Sequence, residues 1–265
     1  MSFRAGMSKV TGDIHPSDSY LRVDAIPSVW CSGCGIGLVV HTFIQTLKYL
    51  RFDLNKLCVV SGLGCTGKIA EYLNLPSFIT TNSNLFEYAG QLKSKNAGSK
   101  IIVFSNNADF LVSGAKDFIE IGKKNIDLTV IHINNIIYTI TENGIFPNTP
   151  FRRMVTGQSD ELPFNIPHLA KSCGAQYVAR WTPLRAGWLM YSIIDTILKG
   201  NFSVIEVVSP CVTYYANRDQ MGDAVERMAF YDHFAIMKPG ESTENLDLRA
   251  HDRLIIGKFL DKDEI

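Results

Sequence analysis

The stretch KIIVFSNNADFLVSGAKDFIEIGKKNIDLTVIHINN, Lys100–Asn135, decides the fold. Its opening KIIVFS and its closing IDLTVIHINN are short runs that are apolar at most positions, as suits strands covered on both faces. Between them, ADFLVSGAKDFIEIGKKN fits a helix. Strand, helix and strand in that order describe one unit of a parallel sheet.

The same alternation extends in both directions. Upstream, KLCVVSGLG reads as a buried strand running into a glycine turn, and GIGLVVHTFIQTLKYL, Gly35–Leu50, carries apolar residues at helical spacing. Downstream, NIPHLAKSCG fits a helix ending at Gly174, and AQYVARW, PLRAGWLMYSIIDTILKG and FSVIEVVSP fit strand, helix and strand. The expected fold is α/β, a mainly parallel sheet covered by helices, with ligands beyond the carboxyl ends of the strands. Residues 1–27 read as an irregular lead-in, 28–212 as the domain, and 213–265 as a charged tail that wraps its own domain or a partner.

Among the 265 residues, 26 Lys and Arg balance 26 Asp and Glu, which leaves no basic footprint for nucleic acid. No apolar run reaches the roughly 18 residues of a membrane span, and the polar start lacks the apolar core of a signal peptide. A cytoplasmic location with no membrane contact is expected. Six cysteines in such a compartment are apolar fillers, metal ligands or redox groups rather than structural disulfides.

Cys58 and Cys173 occupy apolar positions and read as packing residues. Cys31 and Cys34 of WCSGCG, Cys65 of GLGCTGK and Cys211 of SPCVTY sit in turns marked by glycine or proline. A CxxC pair alone also marks zinc sites and redox dithiols, and Cys65 and Cys211 read equally as small turn residues. Alternatively the four thiols converge on one metal site. A [4Fe–4S] cluster needs one thiolate per iron, and glycines let backbone amides approach its sulfides.

The ordered set YLRVDAIPSVWCSGCGIG, VVSGLGCTGK, VFSNNADF, NIDLTVIHINNIIYTIT and SPCVTY resembles the beta subunit of 2-oxoacid:ferredoxin oxidoreductases, the 2-oxoglutarate type above all. The likeness runs from Tyr20 to about Tyr214, and MGDAVERM continues it. The resemblance implies a pyrophosphate-type thiamine-diphosphate domain with one [4Fe–4S] cluster on Cys31, Cys34, Cys65 and Cys211. Gly33, Gly35, Thr66 and Gly67 flank those thiols, and Lys68 matches a basic residue placed near the substrate carboxylate. It further implies an alpha subunit that completes the cofactor site and supplies its activating glutamate, with a 2-oxoacid, CoA and ferredoxin as reaction partners.

The sequence departs from that family where magnesium is expected. A Gly-Asp-Gly turn reads Asn106-Asn107-Ala108 here, so the metal Asp has become Asn107; Asn135, 28 positions on, and the carbonyl of Ile137 keep the other two expected ligands. An amide removes one negative charge beside Mg2+ and a diphosphate, and weaker metal binding is expected. Restoring Asp at 107 is expected to tighten cofactor binding. Asp109 follows the turn as a helix-capping residue or a nearby carboxylate. A Thr-x-His-Gly-Arg segment of the family has become Asn82, Ser83 and Asn84, and its glycine-rich stretch has become residues 139–143. Two readings follow: a working, divergent beta subunit, or a cluster-bearing electron-transfer or assembly subunit without thiamine chemistry.

Overall fold

The structure, a computed structural model, describes residues 19–80, 84–110, 114–135, 164–209, 211–215, 223–248 and 253–263. Asn82, Ser83, Ile137 and residues 139–143 therefore lie outside the described residues.

Helix α1, Gly35–Leu50, buries Ile36, Val39, Val40, Phe43, Ile44 and Leu47, the stripe its sequence spacing demands. It ends on Arg51 in the left-handed region, whose amide returns to the carbonyls of Leu47 and Lys48. There follow β1 (Leu57–Ser61), α2 (Gly64–Tyr72), β2 (Ser77–Ile79), α3 (Leu85–Lys95), β3 (Lys100–Asn106), a single turn α4 (Asn107–Asp109), α5 (Ala115–Lys123) and β4 (Leu128–Asn134). Beyond residue 163 come α6 (Ile166–Cys173), β5 (Tyr177–Trp181), α7 (Ala186–Lys199), β6 (Ser203–Val208), α8 (Val212–Tyr215), α9 (Ala224–Phe234), β7 (Ala235–Met237) and β8 (Leu254–Asp261).

Among the described residues the strands form one sheet in the order β2-β1-β3-β4-β6-β5-β8-β7. Every neighbouring pair is parallel except β5 with β8. The central strands β1, β3, β4, β5 and β6 are buried at every position, which accounts for their unbroken apolar runs. One face packs Val59, Ile102, Phe104, Ile131 and Ile205 against α1 and α7; the other packs Val60, Val103, Val130 and Val204 with Phe86, Phe118 and Ala170 of α3, α5 and α6. Burying a side chain such as Phe43 or Phe118 contributes about 1.5–3 kcal/mol.

The segment after residue 212 is more structured than its charge suggests. α9 begins on a capping box, where the Asp223 carboxylate accepts the amides of Val225 and Glu226. β8 then adds to the sheet antiparallel to β5. Lys258 and Asp261, paired with each other at its end, disguise β8 as a surface stretch in the sequence.

Candidate functional site

The cysteine-bearing turns meet at one end of α1. Cys34 caps the helix, its amide bonds the Cys31 carbonyl at 2.9 Å, and its thiol takes a hydrogen bond from the Ile36 amide. Gly33 stands at φ +78°, and a Cβ there would lie 2.2 Å from that of Ala224. A Cβ on Gly35 would lie 2.1 Å from the Ser209 hydroxyl, two residues before Cys211. Both glycines are therefore demanded by close approach between the CxxC turn and the carboxyl-terminal segment.

The other two thiols are tied to the same place. Trp30 Nε1 donates to the Cys65 carbonyl at 3.0 Å, and its ring lies 4.8 Å from that of Tyr72, whose hydroxyl accepts the Val29 amide. The Cys211 amide donates to Asn135 at the end of β4, and the Thr213 hydroxyl donates to Cys31 Sγ at 2.8 Å. Burial pushes the Cys34 thiol up to about 11; the Ile36 hydrogen bond opposes this, and charge on Cys211, Cys65 and Cys31 adds to it. Cys65 is raised by burial first, then by Cys211 and Cys31. Cys31 and Cys65 are exposed, and Cys34 and Cys211 half-buried. Among the described residues no three His, Cys, Asp or Glu side chains are grouped as a single metal ion requires.

Behind the cysteine-bearing segments the glycine turn after β1 locks onto the asparagine turn after β3. Asp109 is fully buried and accepts the Leu63 amide at 3.0 Å and the Asn106 amide at 2.8 Å, closing a capping box with Asn106. Asn106 Nδ2 donates to the Leu63 carbonyl and to the Thr66 hydroxyl at 2.7 Å. A Cβ at Gly67 would stand 2.4 Å from the Gly62 carbonyl oxygen. Thr66 and Asp109 thus hold the two turns together, Gly67 packs against Gly62 within the first, and both Asp109 oxygens take backbone amides. Burial, opposed by those two bonds, raises the Asp109 carboxyl to about 6.

Asn107 faces inward. It is 1% exposed; its Oδ1 accepts from His132 Nε2 at 2.9 Å, and its Nδ2 donates to Asn134 Oδ1 at 2.9 Å. Asn134 Nδ2 donates to Glu206 Oε1 at 2.7 Å, and Arg180 Nε donates to Glu206 Oε2 at 2.5 Å. On the other side, the Ser105 hydroxyl pairs with His132 Nδ1 at 3.1 Å. Ser105, His132, Glu206 and Arg180 stand in register on β3, β4, β6 and β5, a polar row across the middle of the sheet. Burial lowers the His132 imidazole to about 4 against the pull of Glu206, so the ring is neutral. The Asn107 side chain does not fit a magnesium ligand in this arrangement, because its single oxygen is bonded to His132 inside the sheet. Asn135, half-buried, follows the last residue of β4.

Lys68 lies more than a turn inside α2 rather than at its start, where the dipole effect has faded. Its ammonium bonds both carboxylate oxygens of Glu71, at 2.8 and 2.9 Å, in an exposed pair. Sequence reasoning missed Glu206, Arg180 and Asn134. The available signal was a lone charge in each of two apolar strands, VIEVV and YVARW; buried charges of opposite sign imply each other.

The sequence model described as "Thiamine pyrophosphate enzyme, C-terminal TPP binding domain" matches residues 69–207. The chain is 35% identical to the 2-oxoglutarate synthase subunit KorB of Methanothermobacter marburgensis over 93% of this chain and 87% of that one. It is 36% identical to the subunit of the same name from Archaeoglobus fulgidus over 74% of each. With a 2-oxoacid:ferredoxin oxidoreductase subunit beta from Saccharolobus solfataricus it shares 30% over 70% of this chain and 62% of the relative. A solved 2-oxoglutarate:ferredoxin oxidoreductase from Magnetococcus marinus has the same fold, with a TM-score of 0.78 and 19% identity over 94% of this chain and 85% of that one. The chain belongs to the family of the 2-oxoglutarate synthase KorB and 2-oxoacid:ferredoxin oxidoreductase beta subunits.

Proposed function

We propose that this chain is the beta subunit of a 2-oxoacid:ferredoxin oxidoreductase, acting with an alpha subunit on a 2-oxoacid, with 2-oxoglutarate as the favoured substrate. The balanced reaction converts the 2-oxoacid, CoA and two oxidised ferredoxins into acyl-CoA, carbon dioxide, two reduced ferredoxins and a proton. The observation that carries this reading is that the segments bearing Cys31, Cys34, Cys65 and Cys211 are tied together near one end of α1, with Trp30 bonded to the Cys65 carbonyl and Thr213 to Cys31 Sγ. Such a set of thiols suits a [4Fe–4S] cluster, in which each iron takes one thiolate.

Bound thiamine diphosphate supplies the carbanion that adds to a keto carbon, and the cluster supplies one-electron transfer. The chain's own residues position and insulate. The Ile36 amide and the Thr213 hydroxyl donate to the Cys34 and Cys31 sulfurs, which would ligate the cluster, and Gly33 and Gly35 admit the turns to close approach. Lys68 attracts a substrate carboxylate from an exposed position, with Glu71 holding it beforehand. The carboxylate usual at the metal position is replaced by an inward amide, so Asn107 is given no step.

That inward amide favours one second reading, a subunit that carries electrons or aids assembly through the cluster without thiamine chemistry. Co-expression with the alpha subunit, followed by assay of ferredoxin reduction with 2-oxoglutarate, pyruvate and CoA, separates the two. CoA-dependent reduction with a 2-oxoacid supports the enzyme; a full cluster with no reduction by any 2-oxoacid overturns it.

A further inference from the structure

Hydrogen-bond direction along the buried row is fixed from one end. Arg180 can only donate; it forms a buried ion pair with the Glu206 carboxylate and bonds the Leu246 carbonyl at 2.9 Å. An ionised Glu206 can only accept, so Asn134 must offer it the amide NH2 and turn its oxygen toward residue 107. Residue 107 must then donate to Asn134, which an amide does and a carboxylate does not. The side-chain oxygen of Asn107 accepts His132 Nε2–H, and His132 Nδ1 accepts the Ser105 hydroxyl. These side chains are all at most 1% exposed, so water does not replace a broken link cheaply.

We propose that Glu206 decides which side chain position 107 carries: against an ionised Glu206 only an amide fits there, and a metal-binding carboxylate requires a neutral, donating side chain at 206. Glu206 is a positioning residue for the metal position, acting through Asn134. This goes beyond the catalytic reading and does not depend on the cluster. It also revises the expectation from the sequence that restoring Asp at 107 suffices. An Asn107→Asp change alone sets a carboxylate against the Asn134 oxygen and adds a negative charge to the buried row beside Glu206. Glu206→Gln alone leaves the Arg180 guanidinium without a counter-charge. Together they conserve charge and every link. The amide introduced at position 206 accepts from Arg180 and donates to Asn134, which turns over and donates to the carboxylate introduced at position 107.

The test is a double-mutant cycle on the full chain. Thermal midpoints are measured for wild type, Asn107→Asp, Glu206→Gln and the pair, with Mn2+ affinity in the presence of thiamine diphosphate read by EPR. Each single change is expected to lower the midpoint by about 10 °C or to prevent folding. The pair is expected to regain most of that loss and to bind Mn2+ about tenfold or more tighter than wild type. Additive losses, or an Asn107→Asp protein with a wild-type midpoint and the full Mn2+ gain by itself, overturn the proposal.

Discussion

Trp30 Nε1 donates to the carbonyl of Cys65 at 3.0 Å, joining the first cysteine-bearing segment to the second across 35 residues of chain. The bond ties the backbone beside Cys65 to the segment that leads into Cys31 and Cys34. Trp30→Phe keeps the ring contact with Tyr72 and deletes the donor, and is expected to fold normally and lose cluster faster in air, followed by visible absorption. Ser at any of Cys31, Cys34, Cys65 or Cys211 is expected to lower iron content sharply. Ala at Cys58 or Cys173 is expected to retain the iron and cost about 1 kcal/mol of packing.

Thr213 donates to Cys31 Sγ, and a hydrogen bond to a ligating sulfur stabilises the more negative, reduced cluster. Thr213→Val is therefore expected to lower the midpoint potential in a redox titration followed by EPR, with iron content unchanged. An unchanged potential removes Thr213 from the tuning of the cluster.

Two buried groups oppose each other in acid. Asp109 is raised to about 6 from 3.8 by burial, so its contribution is present below the unfolded value and is lost as pH rises through about 6. His132 is lowered to about 4 from 6.5, so its contribution is present above the unfolded value and is lost as pH falls through about 4. Each contribution is about 3 kcal/mol, and their windows overlap between about pH 4 and 6. Denaturant midpoints of the wild type should vary little there on their account. Asp109→Asn should make stability rise more steeply with pH, and His132→Gln should make it fall with pH.

Lys68 is engaged by Glu71 on the surface, where such a pair contributes little to folding. Lys68→Met is expected to leave the thermal midpoint nearly unchanged and to raise KM for the 2-oxoacid by about tenfold, a loss of about 1.4 kcal/mol in substrate binding. Steady-state kinetics of the assembled oxidoreductase check this; an unchanged KM excludes Lys68 from substrate recognition.

The central architecture was legible because β1, β3, β4, β5 and β6 are covered on both faces and read as apolar runs, and because α1 shows one buried stripe over its whole length. β2 and β7 have three residues each, too few for periodicity to register. β8 is interrupted by Gly257 and Lys258, so the strand that extends the sheet beyond β5 read as part of a tail. The turn that carries Cys31 and Cys34 was legible from its glycines. The buried row was not, since hydrogen-bond direction from Arg180 to Ser105 is a property of register across four strands separated by long stretches of sequence.

The most direct test of the account is the metal and cofactor content of the chain purified anaerobically with its alpha subunit. About four iron and four sulfide per chain are predicted, with an EPR signal on reduction and with thiamine diphosphate in the same sample. A complex that folds and assembles with no iron and sulfide, after anaerobic reconstitution, would contradict the claim that Cys31, Cys34, Cys65 and Cys211 form a cluster site.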